Sequence, residues 1–418
     1  MNLLAFLTSS TLNLIAYRSF SIIFIWSVVS TTDVDHFVLG GVVALVWWFN
    51  LFALPLAADW LLRYSNKAVL MVVAIASIIA ITTFWLTYTH LESSWVLLSL
   101  CASVLAATNV MATSSIKRYI PAITDQSTFH RAVGIASTVS TFQVIIGALL
   151  GGSAIVLFGL DTAIKIVVIL YGVAFFFLLF ISLSTPHAAS VSDAFPRRIA
   201  AGFKVLHIID SERVLCYTAM VTNFVIAPYL LVVVPYHVAV QLHEAPTLLA
   251  LFDASFAFGM ILGAAVLLQV DFNVHQRVLP VVVGNMLVGI GVMSFSLFDL
   301  TGLQTLSLCV SGVGLTMRGV ACNGLRAFAA PNSHRVRLEG TVFFLCMLAI
   351  PFGSQLFGYL IGTLDGTSLR IACLLLGAVV VVVSFWPMLS KPTLFMLRQT
   401  NNQLDQLYQK RYPTAFGD

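Results

Sequence analysis

Twelve long apolar runs, separated by short polar segments, limit the folds that this chain can adopt. Hydrophobic residues make up 59% of the 418 residues and charged residues only 9%, whereas a soluble domain is about a quarter charged. Each run has about 20 residues, the length that an α-helix needs to cross a bilayer. The runs are continuous rather than alternating, and backbone in hydrocarbon must satisfy its own hydrogen bonds. The sequence therefore predicts an all-α integral membrane protein with twelve transmembrane helices.

Polar segments between the runs divide the chain into four predicted parts. These are an N-terminal six-helix half at 1–184, a linker at 185–213, a C-terminal six-helix half at 214–390 and a tail at 391–418. The predicted spans are 9–29, 37–57, 68–89, 94–115, 132–157, 163–184, 214–238, 247–268, 278–298, 303–326, 341–361 and 368–389.

The distribution of Lys and Arg orients the predicted helices. Of the 21 basic residues, 18 lie on one side of the predicted membrane, and only Lys165 and Arg370 lie on the other. Cytoplasmic loops are enriched in basic residues, so both termini are predicted to be cytoplasmic. Residues 195–210 of the linker place apolar side chains at helical spacing opposite basic ones, which predicts an amphipathic helix at the membrane surface. The polar tail is predicted to be partly disordered.

Two arginines and six glycines recur at a constant offset of 206 residues. The pairs are Arg131 and Arg337, Gly134 and Gly340, Gly147 and Gly353, and Gly152 and Gly358. This repeat predicts two pseudo-symmetric halves with a substrate site between them, near the membrane midplane. The same glycines, together with Gly151, are also predicted to let helices pack closely.

Two short motifs resemble those of a known family. The segment LPLAADWLLRYSNKAVL, residues 54–70, resembles the loop after the second helix of the major facilitator superfamily, although the glycines of that loop are missing. The segment GALLGG, residues 147–152, resembles an exporter motif of the same superfamily, with Ala148 in place of proline. The order of features along nearly the whole chain is similar to the bacterial branch that includes enterobactin exporters and macrolide efflux proteins.

The resemblance implies the major facilitator fold and a proton-coupled exporter that works by alternating access in the bacterial inner membrane. The expected cargo is a small amphiphilic molecule, such as a siderophore, an antibiotic, a toxic peptide or a drug. An importer or uniporter and a lysolipid transporter are alternatives, and the chain is expected to be a monomer. Charged pairs that break as the halves move can form a cytoplasmic gate. The residues expected in that gate are Asp59, Arg63, Lys67, Arg131 and Arg337.

Asp253 is the one acid that the sequence places well inside a span, in LLALFDASFAFG. An ionised carboxylate is costly there unless it is paired or hydrated, and its proton affinity depends strongly on its neighbours. We therefore predict that Asp253 couples transport to protons or contacts the substrate. The alternative is a hydrated acid close to the periplasmic face.

Arg318, in LTMRGVACNG, lies deeper in its predicted span and belongs to neither aqueous side. A guanidinium stays charged at any relevant pH, so it cannot itself carry a coupled proton. It is predicted to bind an anionic group of the substrate or to hold a carboxylate such as Asp253 ionised. The alternative is a structural arginine that binds backbone carbonyls and hydroxyls, or one that reaches the cytoplasmic surface.

Four more polar residues lie on helices that the resemblance places around the cavity. Arg18, in NLIAYRSFS, is predicted near the cytoplasmic end of the first span, where it is either an anchor or a substrate contact. Asn109, Gln143 and Asn223 are predicted to be polar contacts for the substrate.

Several functional classes are not expected from this sequence. It contains no phosphate-binding glycine loop for ATP-driven transport and no convergent nucleophile, base and metal ligands for an enzyme. His237, His243 and Glu244 are expected in a solvated loop rather than in a metal site, and no cofactor is expected. A transport-inactive sensor would need an appended soluble domain, for which the tail is too short. The expected partners are a small-molecule substrate, protons and the lipid bilayer, without nucleic acid.

Overall fold

The computed structural model describes residues 2–30, 36–90, 95–123, 126–180 and 203–416, which are almost entirely helical. Contacts divide the chain into two compact units. Unit 1 comprises Met1–Ser192 and Leu231–Ala254, and unit 2 comprises Asp193–Leu230 and Ser255–Asp418. The predicted halves place Leu231–Ala254 with the C-terminal helices, whereas in the structure this segment belongs to unit 1.

The described residues in the first part of unit 1, Met1–Ser192, form five long helical stretches. They are α1 (Asn2–Val29), α2 (His36–Arg63), α3 (Asn66–His90), α4 (Trp95–Ile123) and α5 (Gln126–Leu179). Aromatic side chains fill part of the interior, where the rings of Phe20 and Phe84 pack edge to face with their centroids 5.0 Å apart.

The stretch α5 contains two spans that reverse direction at Gly159. This glycine has φ 77° and ψ 165°, which interrupts the helix. Ser19 donates a hydrogen bond to the Gly147 carbonyl at 2.8 Å, and Ser9 donates one to the Ala174 carbonyl at 2.7 Å. The two serines are about 15 Å apart along α1, whereas the two carbonyls would be about 40 Å apart in a straight helix. Both contacts can form only because the chain folds back between them.

The number of spans follows from this reversal. Eleven helical segments among the described residues are long and apolar enough to cross a membrane. One of them, Gln143–Leu179, has 37 residues and would measure about 55 Å if straight, nearly twice the bilayer core of about 30 Å. Divided at Gly159, it supplies two spans and brings the total to twelve. The predicted all-α membrane fold is therefore confirmed, and the chain is a multi-pass membrane protein.

Unit 2 contains most of the remaining helices. They are α6 (203–208), α7 (Asp210–Pro228), α8 (Pro246–Leu268), α9 (Val278–Leu297), α10 (Thr301–Ala329), α11 (Asn332–Thr363) and α12 (Gly366–Val383). The first part of α8, as far as Ala254, belongs to unit 1.

The helical path of α7 continues beyond Pro228 into the segment that belongs to unit 1. It runs through two π-helical turns at Tyr229–Val233 and His237–Gln241. Proline lacks an amide hydrogen, and wider turns accommodate the missing hydrogen bond. The expected solvated loop at His237 is therefore wrong, because its side chain is buried in this helical extension and its Nδ1 lies 2.6 Å from Gln241 Oε1.

The polar tail is ordered over Lys391–Phe416, so the prediction of partial disorder is wrong for these residues. Leu397, Leu404 and Tyr408 are fully buried in a core cluster with residues of α7, α10 and α11. These apolar side chains are spaced so that consecutive short helices can each bury one. The short helix α13 (Trp386–Leu389) precedes the tail, and the tail helices are α14 (Lys391–Arg398), α15 (Asn401–Leu404), α16 (Leu407–Arg411) and α17 (Pro413–Phe416).

The predicted amphipathic linker helix lies partly within the described residues. Helix α6 exposes Phe203 and Lys204 and buries Val205 and Leu206 in the same core cluster as the tail. Its basic neighbours Arg197 and Arg198 lie outside the described residues.

Candidate functional site

An ion pair joins Arg18 of α1 to Asp253 of α8 within unit 1. Arg18 Nη2 donates to Asp253 Oδ1, and the two side chains are 26% and 14% exposed. Arg18 Nε and Asp253 Oδ2 are buried and have no hydrogen-bond partner among the described residues. The pair is thus largely removed from solvent while its hydrogen-bonding capacity is only partly used.

The depth of Arg18 differs from the sequence-based expectation. The span of α1 runs from Ala5 to Val29, so Arg18 lies about 20 Å from one end and about 17 Å from the other. Arg18 is therefore close to the middle of its helix rather than near an end. At such a depth, a guanidinium that pairs with a carboxylate is more than a surface anchor.

Close packing of α5 against α1 positions this arginine. A Cβ added to Gly147 would lie 2.7 Å from the Arg18 Cβ, and one added to Gly151 would lie 2.7 Å from the Ser19 carbonyl oxygen. On the other side of α5, a Cβ on Gly152 would lie 3.0 Å from the Pro246 carbonyl oxygen at the start of α8. These glycines allow α5 to approach both helices that carry the ion pair.

The other glycines of the predicted repeat have unequal surroundings. Gly353 approaches the Phe224 carbonyl in unit 2, and Gly358 is buried. Gly340, in contrast, is exposed and has nothing within 4 Å of a Cβ built on it. The side-chain environment at Gly134 lies outside the described residues.

The three uncharged candidates differ in how their polar groups are used. Gln143 is 3% exposed, and its Oε1 has no hydrogen-bond partner among the described residues. Asn109 is half-buried, and its Oδ1 also has no hydrogen-bond partner among the described residues. Asn223, in contrast, donates from Nδ2 to the Cys346 carbonyl at 3.1 Å, a bond that joins α7 to α11. This geometry gives Asn223 a packing contact and leaves Gln143 and Asn109 with free acceptors.

Arg318 lies on the buried face of α10 in unit 2. Its neighbours on that face, Ser311, Gly314 and Cys322, are also buried. Arg318 is 9% exposed, and its Nη1 is buried without a hydrogen-bond partner among the described residues. Its charge therefore lies inside a helical unit rather than at an aqueous surface.

A second buried ion pair was not anticipated from the sequence, which places Glu212 and Arg326 near span ends. Glu212 is fully buried at the start of α7, and its Oε2 accepts a 2.6 Å hydrogen bond from Arg326 Nε of α10. Its Oε1 accepts a 2.6 Å hydrogen bond from the Tyr408 hydroxyl of the tail. Burial raises the pKa of the Tyr408 phenol well above its ordinary value, and the Glu212 carboxylate adds to this effect. The acid thus joins two spans to the tail.

Arg277, just before α9, adds a second attachment of the tail. It is 1% exposed, donates from Nη1 to the Gln399 carbonyl at 3.2 Å and also donates to Asn401 Oδ1. Its guanidinium lies 4.8 Å from the centre of the Phe272 ring. No periodic pattern in the tail indicates these contacts, because their partners lie more than a hundred residues away.

Most residues of the predicted cytoplasmic gate have side chains outside the described part of the structure. The side chains of Asp59, Arg63, Arg131 and Arg337 lie outside the described residues. Lys67 is described and is half-buried near the start of α3.

Comparison with known proteins identifies the family. The family model of the Major Facilitator Superfamily matches residues 6–354. The chain belongs to the Major Facilitator Superfamily. No curated protein sequence matches it.

Solved structures of several transporters share the fold over nearly the whole chain. The nucleoside transporter NupG is 16% identical, with a TM-score of 0.67 and coverage of 96% of this chain and 100% of that chain. A bacterial homolog of the human lysosomal transporter Spinster, inward-facing and occupied, is 14% identical, with a TM-score of 0.71 and coverage of 95% and 98%. The D-xylose-proton symporter is 12% identical, with a TM-score of 0.71 and coverage of 97% and 100%.

Superfamily membership makes this chain a membrane transporter of small molecules. The structural relatives carry different cargoes, and identities below 25% show the fold alone. In a transporter, charged residues buried within spans are the expected positions for substrate contacts and proton relays. The Arg18–Asp253 pair and Arg318 are therefore the leading site candidates of this superfamily member.

Proposed function

We propose that this chain is a secondary transporter that exports a small amphiphilic molecule across the bacterial inner membrane by proton antiport. Both termini are cytoplasmic in this proposal, and the chain acts as a monomer by alternating access. The export direction is supported by the resemblance of GALLGG to an exporter motif. The cargo class comprises siderophores, antibiotics, toxic peptides and drugs.

The Arg18–Asp253 ion pair carries the proton-coupling part of the proposal. Arginine remains protonated at all relevant pH, so the proton acceptor of the pair is Asp253. A proton and the Arg18 guanidinium compete for the same carboxylate. Protonation neutralises Asp253, removes the attraction and releases Arg18.

The hydrogen bonding of this pair is incomplete. Removing two charges from water is costly, and their attraction compensates fully only when the remaining polar atoms are also satisfied. Here Arg18 Nε and Asp253 Oδ2 lack partners among the described residues. The cost of removing this pair from water is therefore only partly compensated, which supports a role in transport rather than a purely structural one.

The remaining candidates take supporting roles in the proposal. Gln143 and Asn109, with their free acceptors, contribute polar groups to the substrate path. The gate residues named above form charged pairs at the cytoplasmic side, which break and reform as the transporter cycles. Asn223 supports the packing of α7 against α11 through its contact with Cys346.

Inverted membrane vesicles provide the test. Accumulation of radiolabelled siderophores, antibiotics and peptides is measured with a proton gradient and after its collapse. The wild type is expected to accumulate at least one compound in a gradient-dependent manner. Asp253→Asn, which is neutral at all pH, is expected to reduce accumulation to the collapsed-gradient level while retaining downhill exchange.

A matched control uses another acid that is paired with arginine. Asp299 pairs with Arg370 and is 73% exposed, so Asp299→Asn is expected to transport like the wild type. Uphill accumulation by Asp253→Asn would contradict the assigned role of Asp253. Absence of gradient-dependent accumulation across the whole panel would contradict proton antiport, and uptake in the opposite direction would support an importer instead.

A further inference from the structure

Arg318 has an unusual electrostatic position within unit 2. It is 9% exposed, and its Nη1 is buried without a hydrogen-bond partner among the described residues. Burial of a charge without a partner is strongly unfavourable, and arginine does not escape the cost by losing its proton. The described residues around Arg318 therefore supply no counter-charge.

The buried acid of the same unit cannot supply that counter-charge. Both carboxylate oxygens of Glu212 are already engaged, one by Arg326 and the other by Tyr408. Arg326, which binds Glu212, is buried on the same helix as Arg318, eight residues further along α10. Among the described residues, two guanidinium groups and one carboxylate give these buried side chains of unit 2 an excess positive charge.

Both structural explanations of Arg318 require contacts that the described residues do not make. An arginine that stabilises helix packing donates to backbone carbonyls, as Arg277 does with the Gln399 carbonyl. An arginine that reaches the membrane surface has an exposed guanidinium, as Arg370 does with a side chain 44% exposed. Arg318 is 9% exposed and its Nη1 has no acceptor among the described residues, so this donor remains available for a bound molecule.

We infer that Arg318 is the anion-binding group of the substrate site, and that the transported amphiphile carries a carboxylate, sulfonate or phosphate. The planar guanidinium presents paired donors that match such groups, and these charge-assisted bonds are strong in a site without water. The inference rests on the proposed transport function and specifies its substrate class. A neutral or purely cationic amphiphile would leave the arginine without a counter-charge and would bind more weakly.

Ligand binding by the purified full chain in a neutral detergent tests the inference without transport. The probes are octanoate, octanol and octylammonium below their micellar concentrations, together with inorganic phosphate and phosphatidylglycerol. The readout is the thermal unfolding midpoint at each probe concentration. Unfolding is detected by the change in tryptophan fluorescence. Octanoate is expected to stabilise the wild type at a concentration roughly tenfold lower than octanol, as a charge-assisted hydrogen bond requires.

Two Arg318 variants and a control separate anion binding from a structural role. Arg318→Gln is expected to abolish the preference for octanoate, and Arg318→Lys to retain part of it. Without ligand, Arg318→Gln is expected to be at least as stable as the wild type, because an unpaired buried charge has been removed. Arg370→Gln removes an exposed arginine and is expected to keep the full preference.

Three results would overturn the inference: no preference for octanoate in the wild type, an unchanged preference in Arg318→Gln, or Arg318-dependent stabilisation by phosphatidylglycerol alone. The last result would identify a structural lipid rather than a substrate. Because this assay contains no membrane gradient, it can succeed where the vesicle assay fails. A positive binding result with negative transport would therefore reject the antiporter proposal and retain the anion site.

Discussion

A buried hydrogen bond between Tyr408 and Glu212 holds the tail to the other helices of unit 2, and its strength can be measured. Tyr408→Phe removes the donor that lies 2.6 Å from Glu212 Oε1 and leaves the rest of the ring in place. Both residues are fully buried, so water cannot replace the lost bond without opening the core. A hydrogen bond to a charged group contributes about 2 kcal/mol. The population of detached tail is therefore expected to rise about 30-fold.

Limited proteolysis reports this population directly. Lys410 and Arg411 are exposed trypsin sites within α16, and cleavage there requires that the helix opens locally. When opening and closing are fast, the cleavage rate follows the equilibrium population of the open state. Loss of the C-terminal peptide is measured by intact mass, and Tyr408→Phe is expected to lose it about 30-fold faster than the wild type.

The matched control makes the same chemical change one turn later. Tyr412 is half-buried, and Tyr412→Phe is expected to be cleaved within about twofold of the wild-type rate. Equal cleavage rates for Tyr408→Phe and the wild type would refute a net contribution from the buried bond. Equal acceleration by both variants would show that the effect arises from ring hydroxyls in general and not from Glu212.

Two further predictions concern pH and helix packing. The pKa of Tyr408 is raised by burial and by the Glu212 carboxylate, whereas a detached tail has the ordinary tyrosine pKa of about 10. The contribution of Tyr408 to stability is therefore complete below about pH 10 and is lost as the pH rises through the pKa of Tyr408 in the folded state. The unfolding midpoint of the wild type is expected to fall more steeply above about pH 10 than that of Tyr408→Phe. Gly151→Ala places a methyl group 2.7 Å from the Ser19 carbonyl oxygen and is expected to destabilise the protein by about 1–3 kcal/mol. Gly172→Ala, at a helix position with nothing within 4 Å of the added Cβ, is expected to leave the unfolding midpoint unchanged or slightly raised, and similar losses for both variants would contradict the packing explanation.

The local properties of the sequence were sufficient for the fold class and for two of the charged candidates. Continuous apolar runs allow only helices in a membrane, because each backbone polar group must find its partner within the same segment. Even the reversal at Gly159 falls between the predicted spans 132–157 and 163–184. Asp253 and Arg318 were recognisable for a similar reason, since the cost of placing a charge inside an apolar run depends mainly on that run.

The partners of these charges depended on tertiary structure. Arg18 and Asp253 are 235 residues apart in sequence, and helical periodicity indicates which face a residue occupies but not which helix packs against it. Glu212 has the local sequence context of a loop acid, and it is buried only because α10 supplies Arg326 and the tail supplies Tyr408. The tail is largely polar, yet its apolar side chains, such as Leu397 and Leu404, are buried in a core that distant helices supply. The sequence therefore determined where burial of charge is costly. The packing of distant helices decided which of those charges found a counter-charge and which, as at Arg318, found none among the described residues.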